Sequence, residues 1–315
     1  MGKQLIKTAL LTTVLLGGAA SRMAPVAAGQ QPEATFRSNV DLVRVAAVVR
    51  DRRGRFVRGL HAGDFEVLDN GRARHISDFR LDNARISIAL VFDVSGSMEG
   101  RLPQARETAS HVLSWLNEND EVGVFTFDTR LDQVTPFQRG LRDLPPVLSD
   151  VTPFGATSLH DAIAETAERL NDRDGLRRAI LVFTDGVDNA SRLTPSAVSG
   201  IASTIDVPVY VLALVPHIDN PASDAFSQTS PNAPGKDLAD LAAWTGGQAI
   251  AVSNTMQRSQ AARRVVDELR HQYLIAFESS GIPGWRPLVV RMRDKDLTVR
   301  ARSGYIAGQS RPISQ

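Results

Sequence analysis

The chain has 315 residues, with 36 lysines and arginines against 35 aspartates and glutamates, a formal charge of +1, and no cysteine. This balance gives no electrostatic footprint for nucleic acid, and the missing thiols exclude disulfides, cysteine nucleophiles, thiolate metal sites and a lipoprotein anchor. A chain this long buries enough core to fold without cross-links, as one large or two modest domains.

Residues 1–28 read as a signal peptide outside the fold. Lys3 and Lys7 form a basic start, Thr8 to Ala20 is a short, mostly apolar stretch, and small residues around Val26 and Ala28 suit a signal-peptidase cut. The apolar run falls short of the ~20 residues of a membrane span. Cleavage after Ala20 and retention as an uncleaved anchor are the alternatives, and the anchor is the one membrane contact the sequence offers. Export to the periplasm or the exterior follows. Removing Lys3, Lys7 and Arg22 with no acidic residue takes the formal charge from +1 to −2.

Residues 36–84 read as β structure. Val40 to Arg50 is valine-rich, Asp51 to Gly54 is a turn, and Phe65 to Leu68 joins Arg72 to Ile76 across Asp69-Asn70-Gly71, a strong hairpin signal. From Arg85 the pattern changes to alternating strands and helices, which predicts a parallel sheet covered on both faces. Ile86 to Phe92 is an apolar run with the length and β-branching of a buried parallel strand. Beyond it, Asp93, Ser95 and Ser97 place hard oxygens at alternate positions, and Gly96 permits a sharp turn. This is a strand delivering a metal site.

Helices are predicted at Leu102 to Asn117, Leu159 to Leu170, Pro195 to Ile205, Asp237 to Trp244 and Met256 to Arg270. Strands are predicted at Glu121 to Phe127, at Leu131 to Phe137 as an antiparallel edge partner, at Ala179 to Thr184 and at Val207 to Val215. Two of the intervening loops supply what the first lacks: Pro153 to Ile163 presents Thr157 just before a helix, and Thr184-Asp185-Gly186 ends a core strand. Ligands of open α/β sheets bind beyond the carboxyl ends of the strands, so three such loops converge on one edge. Residues 216–235 hold four prolines and no sustained apolar pattern, which reads as a loop leaving the same edge. Tyr273 to Phe277, Pro287 to Arg293 and Leu297 to Arg302 return to β alternation, the last two joined by Asp294-Lys295-Asp296. These strands have no helices of their own, so they are expected to pair with residues 36–84 in one β-sandwich, with residues 85–271 inserted between the two halves and 272–306 as the second half. Residues 307–315 read as a polar tail.

Asp-x-Ser-x-Ser at 93–97, Thr157 in a Gly-Ala-Thr loop and Asp185 in Thr-Asp-Gly together resemble the metal-ion-dependent adhesion site of the von Willebrand factor type A domain. The resemblance implies a Rossmann-like, doubly wound α/β fold that holds Mg2+, or Mn2+ or Ca2+, at its top edge. It implies Ser95, Ser97 and Thr157 as direct ligands, with Asp93 and Asp185 bound directly or through water. The last position would be completed by an Asp or Glu of a protein partner. Leu241-Ala242-Ala243-Trp244-Thr245-Gly246-Gly247 matches a further stretch of that family, in which the preceding connection is short; the 216–235 segment is a departure, read either as a passive solvent loop or as a loop that shapes partner choice beside the metal. Asp64-Phe65 and Arg302-Ser303-Gly304-Tyr305 resemble an exported bacterial group related to the type A domain, whose function is poorly defined.

The donor chemistry agrees with that implication, because hydroxyls and carboxylates favour Mg2+, Mn2+ or Ca2+ over zinc or copper. The strand-edge argument makes Met98, Glu99, Phe154, Val187, Asp188, Asn189 and Arg192 candidates for a partner-contact rim, with Phe154 equally readable as a core cap. The expected function is binding, not catalysis. No lysine or arginine stands inside the three motif loops to neutralise a transferring group, and neither a Gly-x-Ser-x-Gly elbow nor a phosphate-cradling loop with lysine occurs. His160 and Asp161 are set aside as a base, since Asp161 begins a helix and His160 is expected to face solvent. A Mg-dependent hydrolase or phosphoryl-transfer enzyme and a structural protein with a fold-stabilising metal are the alternatives.

Overall fold

The computed structural model describes residues 42–82, 84–173, 176–215 and 236–308. The signal segment, the 216–235 loop and the tail beyond 308 lie outside the described residues.

In chain order, β1 (Leu42–Asp51), β2 (Phe65–Asp69), β3 (Arg72–Arg74) and β4 (Ile76–Leu81) precede β5 (Ile86–Asp93). Then come α1 (Leu102–Trp115), β6 (Glu121–Phe127), β7 (Leu131–Arg139), α2 (Val147–Asp150), α3 (Leu159–Leu170), β8 (Arg177–Thr184), α4 (Pro195–Ile205) and β9 (Val209–Leu214). After residue 235 follow α5 (Lys236–Trp244), β10 (Gln248–Val252), α6 (Thr255–Arg270), β11 (Gln272–Glu278), β12 (Gly284–Met292), β13 (Leu297–Ala301) and β14 (Gly304–Ala307).

The central sheet runs β10-β9-β8-β5-β6-β7, parallel throughout except for antiparallel β7. Every residue of β5, β8 and β9 is buried, which is why Ile88–Phe92, Ala179–Phe183 and Val209–Leu214 run apolar instead of alternating. Pleating sends Ile86, Ile88, Leu90 and Phe92 to one face, where they pack with apolar residues of α1 and α6. Ala89 and Val91 point to the other, against α3, α4 and α5. From β5 the chain winds outward to β6 and β7, then crosses back through α3 to β8 on the opposite side of β5. The winding direction therefore reverses between β5 and β8, and a crevice opens at their carboxyl ends.

The flanking strands form two four-stranded sheets, β13-β1-β11-β4 and β14-β12-β2-β3. Val45, Ile275 and Phe277 of the first share one apolar cluster with Phe65, Leu288 and Tyr305 of the second. The Asn-Gly turn between β2 and β3 has φ of 48° at Asn70 and 76° at Gly71, the doubly positive backbone that tight hairpins need. Buried Asp69 closes that hairpin and ties in β12 through Arg74 at 2.8 Å and Arg286 at 2.7 Å.

Three sequence readings are corrected. Arg72 to Ile76 is not one strand: β3 ends at Arg74 and β4 begins at Ile76 in the other sheet. Likewise β12 and β13, although joined by a short turn, pair in different sheets, because β13 lies against β1. Ala307 belongs to β14, paired with Gly284 and buried, so it is not part of a polar tail. Strand β10 goes unread in the sequence; it follows Gly247, where a Cβ would lie 1.8 Å from the Val209 carbonyl oxygen, so only glycine allows α5 to turn into β10 there.

The flanking sheet and the central domain meet at Glu268 of α6, whose side chain is 1% exposed. Its carboxylate pairs with Arg50 of β1 at 3.0 Å, with Arg264 at 3.2 Å, and with Arg300 of β13. Burial pushes this carboxyl up, but Arg300, Arg264 and Arg50 together hold it below the usual range. Glu268→Gln is expected to cost about 3 kcal/mol in urea unfolding at neutral pH, because it removes the buried charge that three half-buried guanidiniums share. A depressed folded pKa means that this contribution is complete above about pH 4.3 and is lost as pH falls through the folded value. The variant should therefore lose less stability on acidification than the wild type does.

Candidate metal centre

Asp93 ends β5 at the crevice and is fully buried. Its Oδ1 accepts from the Ser95 amide at 2.9 Å and the Ser95 hydroxyl at 2.6 Å, and its Oδ2 accepts from the Thr184 hydroxyl at 2.6 Å. Burial pushes this carboxyl up; the Ser95 and Thr184 bonds oppose the shift, and the nearby Asp185 charge adds to it. A carboxylate so placed gains from a cation beside it.

The three loops are hydrogen-bonded to one another in pairs. The Gly96 amide donates to the Gly155 carbonyl at 3.1 Å and the Phe154 amide to the Val94 carbonyl at 2.9 Å, which joins the first loop to the second. The Thr157 amide donates to Asn189 Oδ1 at 2.8 Å, while the Asn189 and Ala190 amides donate to the Thr157 carbonyl at 3.1 and 3.0 Å, which joins the second to the third. Thr184 to Asp93 joins the third to the first. Gly96 lies where an added Cβ would stand 3.5 Å from the Gly155 carbonyl oxygen, so the loops approach along bare backbone.

Within this frame the Ser95 and Ser97 hydroxyl oxygens lie 3.2 Å apart. Neighbouring ligands of an octahedral ion bound at 2.0–2.1 Å are separated by about 2.9 Å, so the pair already has nearly the right span. Thr157 is buried, with its backbone committed to the third loop. Among the described residues no group of three or more His, Cys, Asp or Glu could hold an ion. The candidate donor set is two carboxylates and three hydroxyls, all hard oxygens, and it fits Mg2+, Mn2+ or Ca2+ on chemistry.

Arg101 is a site residue that the sequence reading missed. Its guanidinium lies 3.3 Å from Asp185 Oδ2 and donates to the Ser97 carbonyl, so a cation does reach the motif loops. Position alone could have flagged it, three residues past Met98 at the entry to α1.

The rim candidates divide. Phe154 is 81% exposed and Val187 44%, and Glu99 and Arg192 are exposed as well, so four stand at the surface and Phe154 is no core cap. Met98 is 0% exposed and packs in the cluster with α1, because the short helical turn at 96–98 rolls its side chain under the loop. Asp188 also turns inward. Its carboxylate accepts from the Ser191 hydroxyl at 2.6 Å and the His160 amide at 2.9 Å, and His160 Nδ1 lies 2.8 Å away. Burial pushes the Asp188 carboxyl up, but the Ser191 and His160 bonds bring it below the usual range. His160 is thus half-buried in a latch instead of facing solvent, and Asp161 begins α3 while accepting from the Arg192 and Leu193 amides. Asn189, although exposed, is the clip that holds Thr157. A cleft of about 480 Å3 opens beside the second and third loops, lined by Ser158, Asp161, Ala190 and Arg192 among others.

Residues 88–187 match the family described as von Willebrand factor type A domain. A curated relative, an uncharacterized protein of Borreliella burgdorferi, is 27% identical over 146 residues, which is 42% of this chain and 41% of that protein. The chain thus matches about two fifths of that relative's length. Among solved structures, conserved hypothetical protein BatB from Bacteroides thetaiotaomicron is similar over 58% of this chain and 97% of its own, at 20% identity and a TM-score of 0.44. A von Willebrand factor type A structure from Catenulispora acidiphila covers 87% of this chain and 76% of its own, at 12% identity and a TM-score of 0.46. The matched stretch holds most of β5, all of β8 and the five candidate ligands, so residues 88–187 are similar to a von Willebrand factor type A domain.

Proposed function

We propose that the chain is an exported, metal-dependent protein-binding module. In this reading Asp93, Ser95, Ser97, Thr157 and Asp185 hold Mg2+, or Mn2+ or Ca2+, and an Asp or Glu of a protein partner completes the coordination. The cation supplies a fixed double positive charge at a surface crevice. Export rests on the amino-terminal segment of the sequence, and a β-sandwich of the two flanking sheets would serve as the platform.

The observation that carries the reading is the mutual hydrogen bonding of the three loops, which holds hydroxyls and carboxylates together before any ligand arrives. A preorganised site spends little binding energy on ordering its own groups. Exposed Phe154 and Val187 beside a charged centre give an apolar contact around a polar anchor, the usual anatomy of a binding patch.

Four outcomes are expected. Thermal unfolding of residues 29–315, stripped of metal and titrated with Mg2+, Mn2+ or Ca2+, should show stabilisation by about 2.7 kcal/mol at 100 times Kd. Asp93→Ala and Thr157→Ala should remain folded, by far-UV circular dichroism, and lose the response; a wild type indifferent to millimolar cation would remove the chemistry on which the reading stands. Thr184→Val removes a bond to Asp93 without touching a candidate ligand, and isothermal titration should find cation affinity weaker by about 10–100-fold. Arg101→Ala removes the charge paired with Asp185 and should tighten cation binding by roughly tenfold, or ~1.4 kcal/mol, in the same titration.

A further inference from the structure

A second charged concavity lies where the first flanking sheet meets α6, and none of the metal-loop residues lines it. It is an open cleft of about 480 Å3 between the end of β1 with its following turn, which contribute Arg50, Arg53 and Phe56, and the face of α6 that carries Gln260, Arg263 and Arg264. Arg263 pairs with Asp267 at 3.5 Å and also lies over the Trp115 ring. Arg50 stacks on the Phe56 ring, 4.0 Å from its centroid, and that ring stacks in turn on His271. Exposed Arg53 has no ion-pair partner among the described residues.

The charges here do not balance. Arg50, Arg264 and the neighbouring Arg300 share the carboxylate of Glu268, and Asp267 pairs with Arg263 and not with Arg53. Four guanidiniums and one carboxylate, that of Asp267, therefore line the cleft. Burial pushes the Arg264 guanidinium down, with smaller help from the charges of Arg50 and Arg300, against the pull of Glu268. Arg50 and Arg264 are fixed by Glu268 on one side and line the cleft on the other, so their geometry is already set. Planar, preorganised guanidinium forks suit an oxyanion that accepts two hydrogen bonds at a time.

We propose that this cleft is a binding site for a phosphate-bearing anion, held by Arg50, Arg53, Arg263 and Arg264. Such an anion would bridge β1 and α6 and so fasten the flanking sheet to the central domain. The reading is independent of the metal centre. Free phosphate and the headgroup of an anionic lipid present the same chemistry, and the test separates them.

The test compares the wild type with Arg53→Gln/Arg263→Gln, two exposed positions whose replacement spares the Glu268 network. Thermal unfolding is followed in inorganic phosphate and in chloride of matched ionic strength, both with chelator. At ten times Kd, phosphate should raise the wild-type midpoint by about 2–4 °C more than it raises the variant's. General exclusion of phosphate from protein surfaces stabilises both alike, so equal responses would overturn the proposal. Flotation with phosphatidylglycerol vesicles, against phosphatidylcholine vesicles, names the source: capture of the wild type and not of the variant points to a lipid headgroup, and a phosphate response without capture points to a free anion.

Discussion

Asp93 is the constraint on which the upper edge of the molecule depends. A buried carboxylate is tolerated only when its oxygens are satisfied, and here the donors come from two different loops: Ser95 from its own and Thr184 from the end of β8. One side chain thus fixes the first and third loops to each other. The second loop is then held by backbone, through Gly96 and Phe154 on one side and Thr157 on the other. Without Asp93 the β5 and β8 loops would be joined only through the second loop and through Arg101, which spans Asp185 and the Ser97 carbonyl. The same carboxylate that closes the frame is the one that a cation would best compensate.

The sheet order explains why this frame stands at the surface. Reversal of winding between β5 and β8 opens a crevice at the carboxyl ends of those two strands, so their loops have room to carry polar groups in contact with solvent. Beneath them the strands are buried on both faces, with apolar runs at Ile88–Phe92 and Ala179–Phe183, which makes the base of the site rigid. Precision in the loops is inherited from the packed strands, and the loops themselves need only short hydrogen bonds to stay in register.

The central domain was legible because its signals are local. Continuous apolar runs ending in Asp93 and Thr184 read directly as buried strands, and the 3.6-residue stripe of α3 gave its bounds to the residue. The candidate ligands were legible as types at a spacing. Their hydrogen-bonded frame was not, because Asn189 and Thr157 are 32 positions apart and no periodicity links them. Met98 and Asp188 were misplaced for a related reason: belonging to a loop says nothing about which way a side chain rolls, and a single helical turn or a serine partner decides it. In the flanks, the Asn70-Gly71 hairpin was visible from turn chemistry, whereas the partners of β4 and β13 were not. Both strands leave a short connection and pair in a sheet different from that of the preceding strand, a choice made by the shared apolar cluster and not by the turn.

Charge at the metal centre argues for the kind of partner. A divalent cation set against Asp93 and Asp185 alone would be neutralised, and nothing would favour an acidic partner over water. Arg101 changes that balance, since its guanidinium draws on Asp185 and returns one positive charge to the centre. The three hydroxyls add donors but no charge. The loaded site would therefore carry an excess of about one positive charge in a partly desolvated crevice, where Coulomb interactions are several times stronger than in water. A carboxylate arriving from another protein restores neutrality, whereas a neutral donor does not. On the proposed reading, a preference for Asp or Glu would come from Arg101 as much as from the cation, and the surrounding Phe154 and Val187 would be left to select among acidic partners by shape.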